Sequence, residues 1–354
     1  MDIGIIGLKM AGKSALFSSF MGLGASEDGT RSNMGIVNVP DERLDELSAF
    51  YNPQKTTHSM VRFEDYPPLD TQVKQDRVRL YEGMKIKEAF VLVVGAFRRM
   101  TEDEIVEEFN QARFELIMSD LDFVIKRIEK LEKEIVRIAK NRAAREKELA
   151  FMQRLQPILE SERMLRGMEF NNIESAIIIN ASLLTLKPLC YVINVSEDMD
   201  ENIAQSAVTR IKKILEANGD NSPVIAVNAA LEVELAAMDE IEIGDFMREF
   251  GIESPGREKV IKAAYELLDL ITFFTVGEDE CRAWNIRKGG KAIDAAATIH
   301  SDLARGFIRA EVIDHKNLIE LGSMNDAKKA GKLRLEGKTY EVKDGEITHI
   351  MFNV

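Results

Sequence analysis

The sequence has little of what metal-binding, secreted or membrane-bound proteins need. Its two cysteines, Cys190 and Cys281, lie far apart and match no metal-ligand spacing, which is typical of a protein from a reducing compartment. The four histidines are scattered, so we do not expect a metal held by protein side chains alone. No apolar run approaches the roughly 18 residues of a membrane span, and the N-terminus shows no secretory signal. We therefore expect a cytoplasmic protein that makes no membrane contact.

Basic residues are also in the minority. The 354 residues include 47 Lys and Arg against 60 Asp and Glu, which gives a formal net charge of −13. This balance argues against a broadly basic nucleic-acid-binding protein, although a local basic patch can still serve that role. The length predicts about two or three domains, with ample chain for a core.

The start of the chain carries a complete phosphate-binding motif. An apolar run, DIGII, leads directly into G-x-x-x-x-G-K-S at residues 7–14, and helical character follows. Strand, glycine-rich loop and helix are the context in which this motif binds nucleotide phosphates. Lys13 is expected to reach the β- and γ-phosphates, and the hydroxyl of Ser14 to bind Mg²⁺. The predicted nucleotide-binding residues of this segment are Gly7, Lys9, Met10, Ala11, Gly12, Lys13, Ser14 and Ala15.

A candidate base-binding segment follows the apolar run LCYVI at residues 189–193. Asn194, Val195 and Glu197 stand where guanine-reading GTPases carry N-K-x-D. Val195 lacks the lysine stem that packs on the base, and the carboxylate of Glu197 lies one methylene further out than that of aspartate. A displaced carboxylate loses its paired contact with guanine. We therefore expect a weak guanine preference with adenine accepted at least as well, which leaves both ATP and GTP open.

Apolar strand candidates alternate with helical segments along much of the chain. This pattern predicts an α/β fold, a P-loop G domain with a doubly wound sheet. The strand candidates are residues 2–6, 60–64, 89–97, 189–195 and 223–228. The alternation is interrupted between 97 and 189. The predicted domains are a nucleotide-binding domain at 1–100 and 186–270, an inserted α-helical hairpin at 101–185, and an α+β β-grasp domain at 271–354.

The predicted insertion shows a coiled-coil pattern. Apolar residues recur at alternating intervals of three and four over residues 114–138, as in the a/d seam of a heptad repeat. The phase is lost near Asn141 and a second apolar series begins at Leu149, which predicts an antiparallel hairpin with its tip near 139–146. Residues 126–147 contain nine basic and four acidic side chains. This surplus fits either a solvated helix face or a surface that contacts RNA, for example on a ribosome.

Over nearly its whole length the chain resembles the YchF-type Obg-like ATPases within the Obg family of P-loop GTPases. The resemblance rests on GLKMAGKSALF at the start and on LLTLKPLCYVINVSED, and it is densest in AAYELLDLITFFTVGEDECRAW and GKLRLEGKTYEVKDG. It implies a G domain, a projecting helical insertion and a C-terminal TGS domain of β-grasp shape. Family members prefer ATP or accept both nucleotides, hydrolyse them slowly and associate with ribosomes. By this resemblance, Asn194, Val195 and Glu197 form an adenine-tolerant N-x-x-E segment, with residue 195 touching the base through its backbone.

Switch II departs from the family pattern. In the family it begins D-x-x-G, and here Asp65 keeps the acidic position while the glycine position falls on Pro68. The family's glycine gives a backbone N–H to the γ-phosphate, and proline has none. The Gly-rich loop that follows in the family is also missing, because only about twenty residues, which read as one polar helix, separate Pro68 from the strand at Ala89.

Switch I and the metal site are altered too. The family's T-I-E-P-N resembles residues 29–33, so Thr30 is the nearest candidate for the Mg²⁺-binding threonine. Ala15 stands where the family has a second hydroxyl, which removes an α-phosphate contact. The candidate metal ligands are Ser14, Thr30 and, through water, Asp65.

These departures predict nucleotide binding with weak or absent hydrolysis. Phosphoryl transfer needs a positioned water and charge stabilisation, and each lost element typically costs orders of magnitude in rate. No catalytic residue is assigned beyond phosphate stabilisation by Lys13. We expect a protein that binds ATP, with GTP open, together with Mg²⁺, and that acts at the ribosome or in translation-related regulation through the basic hairpin tip and the TGS domain.

Two other readings stay open. One is an active, slow Obg-like ATPase or GTPase whose catalytic group is a substitute or comes from a partner. The other is a scaffold in which the phosphate-binding motif is a structural remnant.

Overall fold

The computed structural model describes residues 2–21, 33–97, 100–137, 141–250, 252 and 254–353. Its contacts group the chain into two compact units, which are Met1–Gly35 with Arg62–Ala264, and Ile36–Val61 with Tyr265–Val354. The segment 36–61 thus groups with the C-terminal residues, which the sequence did not predict. The domain boundaries predicted near 100, 185 and 270 stay predictions.

The described strands and helices alternate through most of the first unit. The strands are β1 (Asp2–Gly7), β2 (Met34–Asn38), β3 (Lys55–Thr57), β4 (Met60–Asp65), β5 (Ala89–Ala96), β6 (Leu189–Val195), β7 (Val224–Val227), β8 (Leu270–Thr275), β9 (Glu280–Arg287), β10 (Phe307–Asp314), β11 (Arg334–Glu336) and β12 (Glu346–Phe352). The helices are α1 (Lys13–Met21), α2 (Glu42–Tyr51), α3 (Lys74–Lys85), α4 (Glu102–Arg137), α5 (Arg142–Glu160), α6 (Asn172–Ala181), α7 (Glu201–Glu216), α8 (Ala229–Leu235), α9 (Glu240–Phe250), α10 (Gly256–Glu266), α11 (Ala292–Ile299), α12 (Ser301–Arg305), α13 (His315–Leu321) and α14 (Met324–Lys329).

A mostly parallel sheet forms the centre of the first unit. Its strand order is β2-β4-β1-β5-β6-β7, and the neighbours from β4 to β7 pair in parallel. Strand β5 is buried along its whole length, as expected for a continuous apolar run in a sheet covered on both faces. Because the carboxyl ends of parallel strands meet at one edge, the segments after β1, β4 and β6 come together there. The predicted α/β fold is confirmed.

The predicted helical hairpin is confirmed and consists of α4 and α5. Ion pairs join Arg127 to Glu148 at 2.6 Å and Glu134 to Arg145 at 3.2 Å. The later residue of α4 thus pairs with the earlier residue of α5, so the two helices run antiparallel. Most of the predicted heptad seam faces inward. Its buried members are Ile117, Val124, Ile128 and Leu131, whereas Phe114 is 39% exposed. Ile138 lies outside the described residues.

The second unit is an α+β module, as predicted for the C-terminal segment. Its sheet has the order β11-β10-β12-β8-β9-β3, with β12 parallel to β8 and β3 parallel to β9. Helix α11 buries Ala295 and Ala296 in a core that includes Phe273 and Ile350. In neither unit is a described helix both long and apolar enough to cross a membrane.

Candidate nucleotide-binding site

The loop between β1 and α1 has a backbone that only glycine suits at two positions. Gly7 has a φ of 155° and Gly12 a φ of 92°. A Cβ on Gly7 would lie 2.4 Å from the carbonyl oxygen of Val93, and one on Gly12 would lie 1.9 Å from Nδ2 of Asn194. The loop therefore turns tightly against the ends of β5 and β6. The loop runs directly into the N-terminus of α1. Backbone N–H groups of such a loop and of a helix N-terminus favour binding of an anion.

Lys13 lies inside this loop. Its side chain is 6% exposed, and its Nζ donates a hydrogen bond to the carbonyl oxygen of Leu8 at 2.9 Å. Burial lowers the pKa of Lys13, and the nearby carboxylates of Asp65, Asp70 and Glu108 oppose that shift. The structure thus holds a buried cation among carboxylates at the position where the motif places the phosphate-binding lysine.

Ser14 and Asp65 form a pair beside Lys13. The Oγ of Ser14 donates a hydrogen bond to Oδ2 of Asp65 at 2.6 Å. Burial raises the pKa of Asp65, while the bond from Ser14 and the charge of Lys13 act in the opposite direction. The other oxygen, Oδ1, is buried and has no hydrogen-bond partner among the described residues. A hydroxyl beside a buried, unsatisfied carboxylate oxygen is a ligand set that suits Mg²⁺.

Of the other predicted metal and phosphate residues, Thr30 lies outside the described residues. Met10 adopts a positive φ of 64° although it is not glycine, and its side chain is 63% exposed. Ala11 is buried within the loop, and Ala15 lies in the first turn of α1. The backbone N–H of Lys9 is donated to the carboxylate of Asp70.

Asn194 links this loop to its neighbours. Its Nδ2 donates to the carbonyl oxygen of Ala11 at 3.1 Å, and its Oδ1 accepts the N–H of Ala229 at 3.0 Å. Ala229 is the first residue of α8, whose N-terminal N–H groups have no partner within the helix. Both ends of the Asn194 amide are therefore used within the protein. Val195 is half-buried at the end of β6, and Glu197 is exposed in the turn that follows.

The segment after β4 lies directly against β1 and the loop. The N–H of Asp65 bonds to the carbonyl oxygen of Asn33 at 2.7 Å, that of Tyr66 to Ile5 at 3.0 Å, and that of Leu69 to Gly7 at 3.1 Å. Pro67 and Pro68, which lie between them, have no N–H. Every backbone N–H from 65 to 69 is therefore either absent or engaged with the protein. The polar helix that follows is α3.

Two acidic residues near Lys13 did not emerge from the sequence as site residues. Asp70 accepts the N–H of Lys9 through Oδ1 at 2.9 Å, and Glu108 on α4 accepts the N–H of Gly95 at 2.7 Å. Asp70 follows the prolines by two residues, a spacing that carries no motif. Glu108 belongs to a helix whose heptad pattern suggested only packing.

The basic tip of the hairpin is partly neutralised within the protein. Arg127 and Arg145 form the ion pairs between α4 and α5 described above. In addition, Arg142 bonds Glu146 at 2.8 Å, and Lys130 lies 3.9 Å from Glu134. Lys133 and Arg137 are exposed, and Lys140 lies outside the described residues. Ion pairing thus accounts for much of the charge run, and the exposed remainder can meet a polyanion.

Comparisons with known proteins agree with this architecture. A family model described as YchF-GTPase_C, protein of unknown function (DUF933), matches residues 270–353. The chain is 37% identical to a protein named ribosome-binding ATPase YchF from Bacillus subtilis strain 168, over 373 residues and 99% of each chain. It is 36% identical to the protein of that name from Escherichia coli O157:H7, over 365 residues and 99% of each chain.

The fold is also similar to that of a solved structure. The Schizosaccharomyces pombe YchF GTPase matches with a TM-score of 0.84 at 27% identity, covering 99% of this chain and 97% of that chain. Both the helical hairpin and the C-terminal module are included in a match of this extent.

Proposed function

The chain belongs to the YchF family, and from that premise we propose that it binds a purine nucleotide with Mg²⁺, hydrolyses it weakly or not at all, and acts at the ribosome or in translation-related regulation in the cytoplasm. We propose ATP as the nucleotide and the ribosome as the partner because the relatives are named ribosome-binding ATPases. GTP stays open because Val195 and Glu197 replace the lysine and aspartate that read guanine.

Binding is supported by the loop at Gly7–Ser14. Its backbone conformation and the tie to Asn194 shape the loop for phosphates, and the buried ammonium of Lys13 would exchange its bond to Leu8 for them. Ser14 and, through water, Asp65 would hold Mg²⁺, which fits the unsatisfied Oδ1 of Asp65. The ion, when bound, neutralises phosphate charge. The undescribed Thr30 stays a candidate ligand.

The base would lie near the end of β6. Asn194 supports this pocket indirectly, because its amide is already bonded to Ala11 and Ala229. The backbone of Val195 and the exposed side chain of Glu197 are the groups available to a base, as the family resemblance implies.

One observation carries the proposal of weak hydrolysis. From residue 65 to 69 no backbone N–H is available to a terminal phosphate, since three are bonded within the protein and two residues are prolines. Catalysis of phosphoryl transfer depends on groups that stabilise charge and position the attacking water. Lys13 remains as a stabiliser of phosphate charge, and nothing in the segment positions a water from its backbone.

The names of the relatives favour a second candidate, an active but slow ATPase or GTPase. Such an enzyme would need a substitute group in this chain or one supplied by a partner such as the ribosome. Phosphate release measured with and without ribosomes separates the two candidates, because a partner-supplied group gives turnover only in the presence of the partner.

Calorimetric titration with ATP, ADP and GTP in the presence of Mg²⁺ tests nucleotide binding. We expect micromolar or tighter binding that is lost in Lys13→Ala, with Lys212→Ala on the exposed face of α7 as a control that binds normally. Undetectable binding at high micromolar nucleotide would instead support the reading of the loop as a structural remnant in a scaffold.

A further inference from the structure

A carboxylate lies at the mouth of the phosphate-binding loop. The N–H of Lys9, two residues after Gly7, donates to Oδ1 of Asp70 at 2.9 Å. The bond from Leu69 N–H to the carbonyl oxygen of Gly7, at 3.1 Å, fixes the preceding residue against the base of the same loop. Asp70 is therefore held at the loop by its own side chain and by its neighbour's backbone.

The carboxylate of Asp70 lies near the ammonium of Lys13. The Nζ of Lys13 donates to the carbonyl oxygen of Leu8 at 2.9 Å, and the next N–H, that of Lys9, donates to Asp70 at 2.9 Å, so the ammonium and the carboxylate are bound to the same peptide unit of the loop. In a phosphate-binding loop this ammonium reaches the β- and γ-phosphates. Asp70 approaches it from the segment 65–70, which is the side on which a switch segment meets the terminal phosphate.

A cavity lies beside the loop, next to Asp70. It has a volume of about 780 Å³, and its walls include Lys9, Asp65, Pro68, Asp70 and Asp76. Arg79 also lines this cavity, but Asp70 and Asp65 are the wall residues bonded to the loop itself, through Lys9 and Ser14, so a terminal phosphate that extends from the loop would meet their carboxylates. Mg²⁺ can compensate the charge of Asp65 through Ser14 and water, whereas Asp70 already uses one oxygen on Lys9.

We propose that Asp70 occupies the place of the terminal phosphate, so that the site selects a nucleoside diphosphate over the triphosphate. The inference rests on the proposed nucleotide binding. A diphosphate can fill the loop while Asp70 keeps its bond to Lys9. A triphosphate brings like charge against the carboxylate and must displace it from Lys9, and both effects weaken triphosphate binding.

The test compares the dissociation constants of ADP and of an ATP analogue with a non-hydrolysable β–γ bridge, both with Mg²⁺. In the natural protein we expect ADP to bind at least about tenfold more tightly, which corresponds to about 1.4 kcal/mol. Asp70→Asn keeps the size of the side chain and an acceptor for Lys9 but removes the charge. It should bring the two constants within about twofold of each other by tightening the analogue, with ADP unchanged.

Two further variants make the comparison specific. Asp76→Asn removes the same charge from the wall of the same cavity without touching the loop, and it should keep the natural preference for ADP. Asp70→Glu retains the charge and should also keep that preference, which guards against a fold defect at this position. Melting temperatures of all variants should match that of the natural protein within a few degrees.

The outcomes are distinguishable. Equal affinity for both nucleotides in the natural protein, or an unchanged ratio in Asp70→Asn, overturns the role of Asp70 and leaves the proposed function intact. If the natural protein binds neither ADP nor the ATP analogue, the proposed function is overturned and this inference with it. Tighter binding of the analogue than of ADP overturns this inference alone.

Discussion

Asn194 at the end of β6 holds the phosphate-binding loop through Ala11, with 3.1 Å between its Nδ2 and the carbonyl oxygen. The same side chain accepts the first N–H of α8 at 3.0 Å. One amide thus joins a loop, a strand and a helix that are distant in sequence. Asn194, which the sequence assigned to nucleotide contact, thus holds in place the loop that we propose binds the phosphates.

Asn194→Ala should therefore weaken both the fold and the site. The substitution leaves a buried carbonyl oxygen and a buried N–H unsatisfied, which we expect to lower the free energy of unfolding by about 2–3 kcal/mol. Urea unfolding measures this loss, and titration with ADP should show at least about tenfold weaker binding. Asn180→Ala, whose exposed amide donates to the carbonyl oxygen of Ala176 within α6, is the control and should change neither quantity by much.

Gly12→Ala should distort the loop. Its Cβ would lie 1.9 Å from Nδ2 of Asn194, and Gly12 has a φ of 92°, so we expect a loss of about 2–4 kcal/mol in unfolding free energy together with loss of nucleotide binding. Gly244→Ala, where a Cβ meets nothing within 4 Å, should instead be neutral or stabilising by up to about 1 kcal/mol. If Gly12→Ala bound ADP normally, the described loop geometry would not be the binding conformation.

The two substitutions should not be additive. Asn194→Ala removes the atom that the Cβ of Gly12→Ala would strike, so the double variant should lose less unfolding free energy than the two single variants together. If the two losses of unfolding free energy were strictly additive, the destabilisation by Gly12→Ala would come from its positive φ alone and not from the contact with Asn194.

The buried Asp120 on α4 should make stability depend on pH. Its carboxylate accepts hydrogen bonds from the N–H of Leu184 at 3.0 Å and from the N–H and hydroxyl of Thr185 at 2.7 and 2.6 Å. Burial raises the pKa of Asp120 from 3.8 to about 6. Between these two values the folded state binds more protons than the unfolded state, so the free energy of unfolding should fall as the pH rises through this window.

The magnitude of this effect is at most about 3 kcal/mol for a shift of this size. Urea unfolding between pH 4 and 7 measures it against Asp120→Asn, which cannot titrate. The natural protein should lose stability relative to the variant as the pH rises to about 6 and then run parallel to it. Profiles that are parallel from pH 4 upward would show that the three hydrogen bonds fully offset burial.

The exposed basic residues near the hairpin tip should contribute to ribosome association. Reversing Lys133 and Arg137 to glutamate should weaken co-sedimentation with ribosomes, most strongly at low salt, because contacts with phosphate release counterions. Reversing Lys212 and Lys213, which are exposed on α7, changes the net charge equally and is the control. Equal losses in both double variants would indicate a general charge effect and remove the tip from the proposed surface.

The sequence predicted those features that repeat or that follow a motif. The apolar runs became buried parallel strands, the heptad pattern became α4, and G-x-x-x-x-G-K-S became a loop that requires Gly7 and Gly12. Periodicity and glycine spacing are local properties of the chain, so they can be read without knowing which segments meet.

Features that depend on contacts between segments far apart in the chain could not be predicted from the sequence. The strand Lys55–Thr57 pairs with Glu280–Arg287 across more than two hundred residues, and nothing local marks either strand for the other. The contact of Asp70 with Lys9 depends on how the two prolines direct the chain back toward β1. The dual bonding of Asn194 depends on where α8 begins. Such relationships are set by the packed fold.

Single-turnover hydrolysis with enzyme in excess over radiolabelled ATP tests the central claim most directly. The absence of an available N–H from residue 65 to 69 predicts phosphate release no faster than in Lys13→Ala, even when titration shows that ATP is bound. A burst approaching one phosphate per bound ATP that disappears in Lys13→Ala would contradict the claim.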